Sequence, residues 1–183
     1  MRNLRTRVWV LAAALAGLAT AADLNVGPSG GSTVTAAFKQ EGSEVESPFK
    51  RFSGHISYDP AKVASATAQI EVETGSYDIG DEAYNAEVRK KSWFDSAAHP
   101  RAQFKSTAIK AGAAGSFQAT GQLSLKGRVQ TVTVPVKVST GPKGTVFDGS
   151  FAISRKAFGI GDPIWEGALD DKVTIKFHLV GGK

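Results

Sequence analysis

The chain has 183 residues, 22 Lys+Arg against 17 Asp+Glu, no cysteine and 42% hydrophobic residues. That length makes one domain, or at most two small ones, with a core of useful size. The 21% charged fraction and the wealth of Val, Ile and Phe exclude a disordered chain. The lack of cysteine excludes a disulfide scaffold, a thiolate metal site and a cysteine nucleophile.

The first residues read as a leader. Met1–Arg7 carries Arg2, Arg5 and Arg7 with no acid, Val8–Leu18 is an apolar run, and Ala19-Thr20-Ala21 supplies small residues where a signal peptidase reads them. A spanning helix needs about 20 apolar residues, so an uncleaved anchor is the weaker reading. Residues 1–22 are therefore expected to be a cleaved signal peptide, with residues 23–183 as the mature domain. Removing the three leader arginines leaves 19 bases against 17 acids, a formal charge of +2. Nucleic-acid binding loses its main support with them. Export without cysteine suits a bacterial periplasm, which is the expected location.

Beyond a glycine-rich stretch expected to be flexible, Gly27–Ser32, the dominant signal is period two. Eight runs alternate apolar and polar residues: around Val34–Phe38, Phe52–Tyr58, Ala66–Glu73, Ala102–Ala108, Phe117–Lys126, Thr131–Val138, Phe147–Ser154 and Lys172–Leu179. Each reads as a strand with one apolar face, and such half-buried alternation belongs to antiparallel sheets. The apolar phase moves from odd numbers in Phe117–Leu125 to even numbers in Val132–Val138, so a turn must intervene, and Lys126-Gly127-Arg128 has the glycine for it. Asp59-Pro60, Gly112–Gly115 and Gly141–Gly144 punctuate other joins.

One segment breaks the period. Asp81–Lys91 is built mostly from helix formers, with Asp81 and Glu82 in its first turn and Arg89, Lys90 and Lys91 in its last, as the helix dipole favours. Glu87 stands four residues before Lys91 in the better orientation for an ion pair. Tyr84 and Val88 share a face that leads toward Trp93-Phe94. The fold class expected is all-β, with eight antiparallel strands and one short helix; a closed barrel buries their apolar faces and leaves no edge strands. A two-sheet sandwich satisfies the same alternation.

Reactive groups are sparse. His55 and His178 lie in the polar phase and His99 precedes Pro100, positions expected to be solvated rather than metal-binding. H-E-x-x-H and P-loop motifs do not occur. Asp78, Asp81 and Glu82 lack calcium-loop spacing and suit helix capping instead. Glu71 and Glu73 lie on the polar phase, so they read as solvated surface rather than a catalytic dyad. Neither a catalytic residue, a metal site nor a cofactor is expected. The phenylalanines Phe38, Phe52, Phe104, Phe117, Phe147, Phe151 and Phe177 all fall in the apolar phase. They can form a packed core or line a lumen. Small residues in the same phase, such as Ala66, Ala68, Ala119, Gly121 and Gly149, lean toward an unfilled interior.

The order of segments resembles the YceI-like polyisoprenoid-binding family. The stretches that carry the resemblance are SPFKRFSGHISYDP (Ser47–Pro60), VETGSYDIGDE (Val72–Glu82), SWFDSAAHPRAQFKST (Ser92–Thr107), GQLSLKGRVQTVTVPV (Gly121–Val136), SRKAFGIGD (Ser154–Asp162) and DDKVTIKFHLVG (Asp170–Gly181). The resemblance implies a lipocalin-like barrel that carries a long apolar chain, isoprenoid or fatty, without chemistry. The candidate ligand contacts are then Phe38, Phe52, Ile70, Phe104, Leu123, Val134, Phe147, Phe151 and Phe177 in the wall, with Tyr84, Val88, Trp93 and Phe94 at the lid. The alternatives are a structural or stress-response barrel with a packed core, an enzyme acting on such a lipid, and an outer-membrane barrel with its apolar face outward. The enzyme needs titratable groups in the apolar phase, where only Ser106 and Tyr58 offer hydroxyls. The membrane barrel needs aromatic girdles at both strand ends, whereas these phenylalanines sit mid-strand.

N-terminal sequencing of protein from its producing cell is expected to begin at Ala22 or Asp23. Recovery of Met1 excludes the cleaved leader.

Overall fold

A computed structural model describes residues 21–182, so all but the last two residues of the expected leader lie outside the described residues. Ten strands form one antiparallel sheet: β1 (Ala22–Val26), β2 (Thr33–Gln40), β3 (Ser43–Pro48), β4 (Phe52–Tyr58), β5 (Thr67–Glu73), β6 (Arg101–Ala111), β7 (Ser116–Leu125), β8 (Arg128–Gly141), β9 (Gly144–Ser154) and β10 (Leu169–Gly181). The spatial order is β1-β4-β5-β6-β7-β8-β9-β10-β2-β3. The sheet rolls into a lipocalin-like barrel, and its seam is fastened at both ends. Asn25 and Gly182 exchange two backbone hydrogen bonds of 2.8 and 3.0 Å, tying β1 to the end of β10. At the opposite end Lys50 N–H donates to Ser76 O and Asp78 N–H to Pro48 O, each at 3.0 Å.

The strand count is ten rather than the expected eight. β1 has only Leu24 and Val26 on its buried face, too short an alternation to stand out beside a leader. β3, SEVESP, has one large apolar residue; Val45 pairs with Phe38 on β2, and tertiary contact overrides a poor strand composition. Gly27–Ser32 is ordered rather than flexible. Ser32 is buried and its Oγ accepts from Val180 N–H at 2.9 Å.

The eight expected runs all fall in strands, and β7 shows the alternation cleanly: Phe117, Ala119, Gly121, Leu123 and Leu125 are buried or inward, their neighbours outward. The phase change falls at Lys126-Gly127, both in the left-handed region (φ 49° and 72°), the two-residue turn that suits strand twist. Helix α1 (Glu82–Val88) is shorter than the Asp81–Lys91 expected. Asp81 caps it, its Oδ1 accepting from Ala83 and Tyr84 N–H at 2.8 and 3.2 Å. The chain then folds back, Phe94 N–H taking the Val88 carbonyl at 3.0 Å. Glu87 therefore pairs with Lys90, not with Lys91.

Inward glycines make room for rings from neighbouring strands. A Cβ on Gly121 would lie 2.6 Å from the Phe104 ring and 2.5 Å from Lys105 O, and one on Gly149 would lie 2.4 Å from the Phe177 ring. These rings occupy the space of the absent side chains and lie along the wall. Gly121→Ala is expected to destabilise the barrel by about 1–3 kcal/mol, lowering the melting temperature by about 3–10 °C. An unchanged thermal melt contradicts the close packing of Phe104 on this glycine.

Candidate functional site

The barrel encloses an apolar lumen of about 260 Å³ that opens at the end carrying α1 and the β9–β10 connection. In its middle, inward side chains are only half-buried: Phe38, Ile70, Phe104, Phe151, Ile175 and Phe177 point inward without full cover from other protein atoms. At the far end the packing tightens, and Phe117, Phe147 and Leu179 are buried. An interior with one open end, one tight end and a half-covered middle is a container rather than a core.

Twelve of the thirteen expected contact residues line this lumen. Phe38, Ile70, Phe104, Leu123, Val134, Phe147, Phe151 and Phe177 come from the wall, and Tyr84, Val88, Trp93 and Phe94 from α1 and the turn after it. Phe52 does not line it. It faces inward as its strand phase requires but is buried in the hydrophobic cluster that holds Phe49, Ile56 and Tyr77, with its backbone carbonyl beside Gly27. Outside the barrel, His178 Nδ1 meets Asp148 at 2.7 Å, His55 faces Asp23 at 3.4 Å, and Glu71 and Glu73 pair with Arg101 and Arg51.

Several lining residues lay outside the strand alternation. Phe49, Tyr77 and Phe94 form an aromatic cluster beside the mouth, with Phe49 and Tyr77 centroids 4.8 Å apart and Tyr77 and Phe94 5.8 Å apart. Trp165 reaches the lumen from the loop between β9 and β10. Phe49 and Tyr77 lie within the segments that carry the family resemblance, so a signal existed; Trp165 had none. Tyr77 donates its hydroxyl to Ala36 O at 3.0 Å, and burial pushes its pKa up to about 12.

Two charged side chains line the lumen, and both are engaged. Glu87 accepts from Trp93 Nε1 at 3.3 Å and pairs with Lys90. Arg155, 6% exposed, donates from Nε, Nη1 and Nη2 to Asp170 O, Ile160 O and Leu169 O, each at 3.0 Å. The strand alternation did not mark Arg155, because its role is to satisfy carbonyls of the loop and of the start of β10 that only the fold brings around it. Those bonds hold the β9–β10 connection at the mouth. The connection also closes a fork in the wall: β8 and β9 pair only from Val136–Gly149 to their turn, because Pro135 has no N–H to continue the ladder. Phe158, fully buried with Leu123, Leu125, Ile153 and Ile160, fills the space beside the fork. Lys126 and Arg128 hold its loop through Gly159 O and Ala157 O at 2.6 and 2.9 Å.

Comparison with known proteins agrees with this architecture. The family model of the YceI-like domain matches residues 27–181. The crystal structure of Burkholderia cenocepacia BcnA is 41% identical, with a TM-score of 0.78 over 81% of this chain and 95% of that one. A polyisoprenoid-binding domain from Saccharophagus degradans shares the fold at 14% identity, with a TM-score of 0.67 over 85% of this chain and 96% of that one. A UPF0312 protein of Vibrio cholerae is 27% identical over 124 residues, 64% of this chain and 66% of its own length.

The Tyr77 hydroxyl gives a spectroscopic check of the mouth. Between pH 10 and about 12 the folded chain keeps a proton that an unfolded tyrosine has lost, so stability falls as pH rises through that window. Alkaline titration of tyrosinate absorbance is expected to show a step near pH 12 that Tyr77→Phe removes. Identical titrations of the two proteins contradict the buried Tyr77–Ala36 bond.

Proposed function

This chain belongs to the YceI-like domain family, and on that premise we propose that it is an exported carrier holding one long apolar chain, isoprenoid or fatty, in its lumen. The half-buried ring of inward aromatic and aliphatic side chains carries this reading. Those surfaces remain uncovered by protein, and each methylene laid against them is worth about 0.8 kcal/mol. Ten buried methylenes contribute about 8 kcal/mol before the cost of ordering the chain. A structural barrel with a packed core accounts less well for the open middle of the lumen.

Carriage without chemistry is supported by the state of the charged lining groups. The Glu87 carboxylate and the Arg155 guanidinium are committed to protein partners. The apolar end of a ligand enters first and its polar end rests at the mouth, among Gln40, Tyr84, Glu87 and Trp165. A periplasmic location rests on the leader pattern and the cysteine-free composition. No helix among the described residues is long and apolar enough to cross a membrane.

Mass spectrometry of organic extracts of the purified protein is expected to find a long-chain lipid. Phe151→Asp places a carboxylate in the lumen, where an unpaired charge is strongly disfavoured, and should cut retention of that lipid at least tenfold. Ser150→Asp, on the outward face of the same strand, should leave retention unchanged. Absence of extractable lipid together with no uptake of isoprenoid or fatty chains at micromolar concentration would falsify the carrier reading.

A further inference from the structure

We propose that Phe117 is the length stop of the lumen, the residue that decides how long an apolar chain the barrel accepts. The inference rests on the carrier reading above and assigns a specificity-determining residue to that site.

Three rings meet at the closed end. Tyr58 and Phe147 are edge to face with centroids 5.3 Å apart, Tyr58 and Phe117 stack at 6.2 Å, and Phe117 and Phe147 lie 6.5 Å apart. They come from β4, β7 and β9, and no two of these strands are neighbours in the sheet. Rings from non-adjacent strands reach one another only across the interior, so the trio forms a transverse floor. The mid-lumen rings differ, since Phe104 and Phe177 fold against the wall over Gly121 and Gly149. Phe117 pairs with Val136 on one side and Ala111 on the other, so no glycine gives its ring a place in the wall.

Of the three floor rings, Phe117 and Phe147 line the lumen. Phe117 and Val136 line the lumen and also a shallow outer hollow beside the β6–β7 turn, which Lys110, Gly112 and Pro135 border. Phe147 and Tyr58 do not border that hollow. A chain descending from the mouth therefore stops against Phe117, which closes the lumen together with Phe147. Removing its ring deepens the lumen. Enlarging Ala119, buried beside it and inward on the same strand, raises the floor.

The test uses delipidated full-length mature protein and an equimolar series of straight-chain primary alcohols from decanol to docosanol, with the bound distribution read by mass spectrometry. For the native protein, occupancy should rise about fourfold per added methylene up to a break length and then level off. Phe117→Ala should move the break outward by about three carbons or more, the space its ring vacates. Phe117→Leu, a milder change that preserves folding if the alanine variant does not, should move it outward by less. Ala119→Leu should move it inward. A break length that is the same in the native protein, Phe117→Leu and Ala119→Leu overturns the stop while leaving the carrier reading intact. Native protein that takes up none of the alcohols and carries no extractable lipid overturns both.

Discussion

A wall that satisfies its own main chain is what allows this barrel to keep an open centre. Nine strand-to-strand ladders pair the backbone of neighbouring strands, and the Asn25–Gly182 and Pro48–Asp78 bonds fasten the two ends of the rolled sheet. Rolling and fastening the sheet shortens the edges that would otherwise demand a partner. With the polar groups of the wall satisfied, the interior is left to apolar side chains, and their packing need not be complete. Where the ladder does lapse, at Pro135 between β8 and β9, the Phe158 loop fills the gap and Lys126 and Arg128 hold it there.

Side-chain size then shapes the space inside. At mid-height, glycine on one strand faces a phenyl ring from the next, and the ring lies along the wall where a Cβ would have stood. At the closed end, larger residues face each other and the rings meet across the axis. The same residue type, phenylalanine, thus lines the container in one place and closes it in another, and at Phe104 and Phe177 a neighbouring glycine makes room for the ring along the wall. At the mouth the logic is polar. Arg155 gathers one loop carbonyl and two from the start of β10, and Asp81 caps the helix that borders the opening.

Much of this was legible from residue order. Period-two alternation marked eight of the ten strands, the phase change after Leu125 located the Lys126-Gly127 turn, and the break in period located α1. Apolar phase placed eight of nine expected wall residues on the lumen, because in a strand the facing of a side chain follows from its number alone. Phe52 shows where this rule ends. It faces inward as its phase requires, yet it is buried within the core cluster and leaves no surface on the lumen. Facing is local information, whereas access depends on what else occupies the same height of the barrel.

Alternation, turns and helix caps, each written within a few neighbouring residues, determined antiparallel strands with one apolar face and a short helix, while the choice of a barrel over a sandwich came with the family resemblance. Whether the interior would be packed or open was decided only by the tertiary structure, because it depends on pairs of residues far apart in the chain. Phe104 over Gly121, Phe177 over Gly149 and the Tyr58–Phe117–Phe147 floor are such pairings. So are the strands β1 and β3, whose compositions alone do not specify extended structure and which form because β4 and β2 supply the partners. Arg155 belongs with them: a charged residue within a loop sequence becomes a buried organiser of the mouth only when Ile160, Leu169 and Asp170 turn their carbonyls toward it.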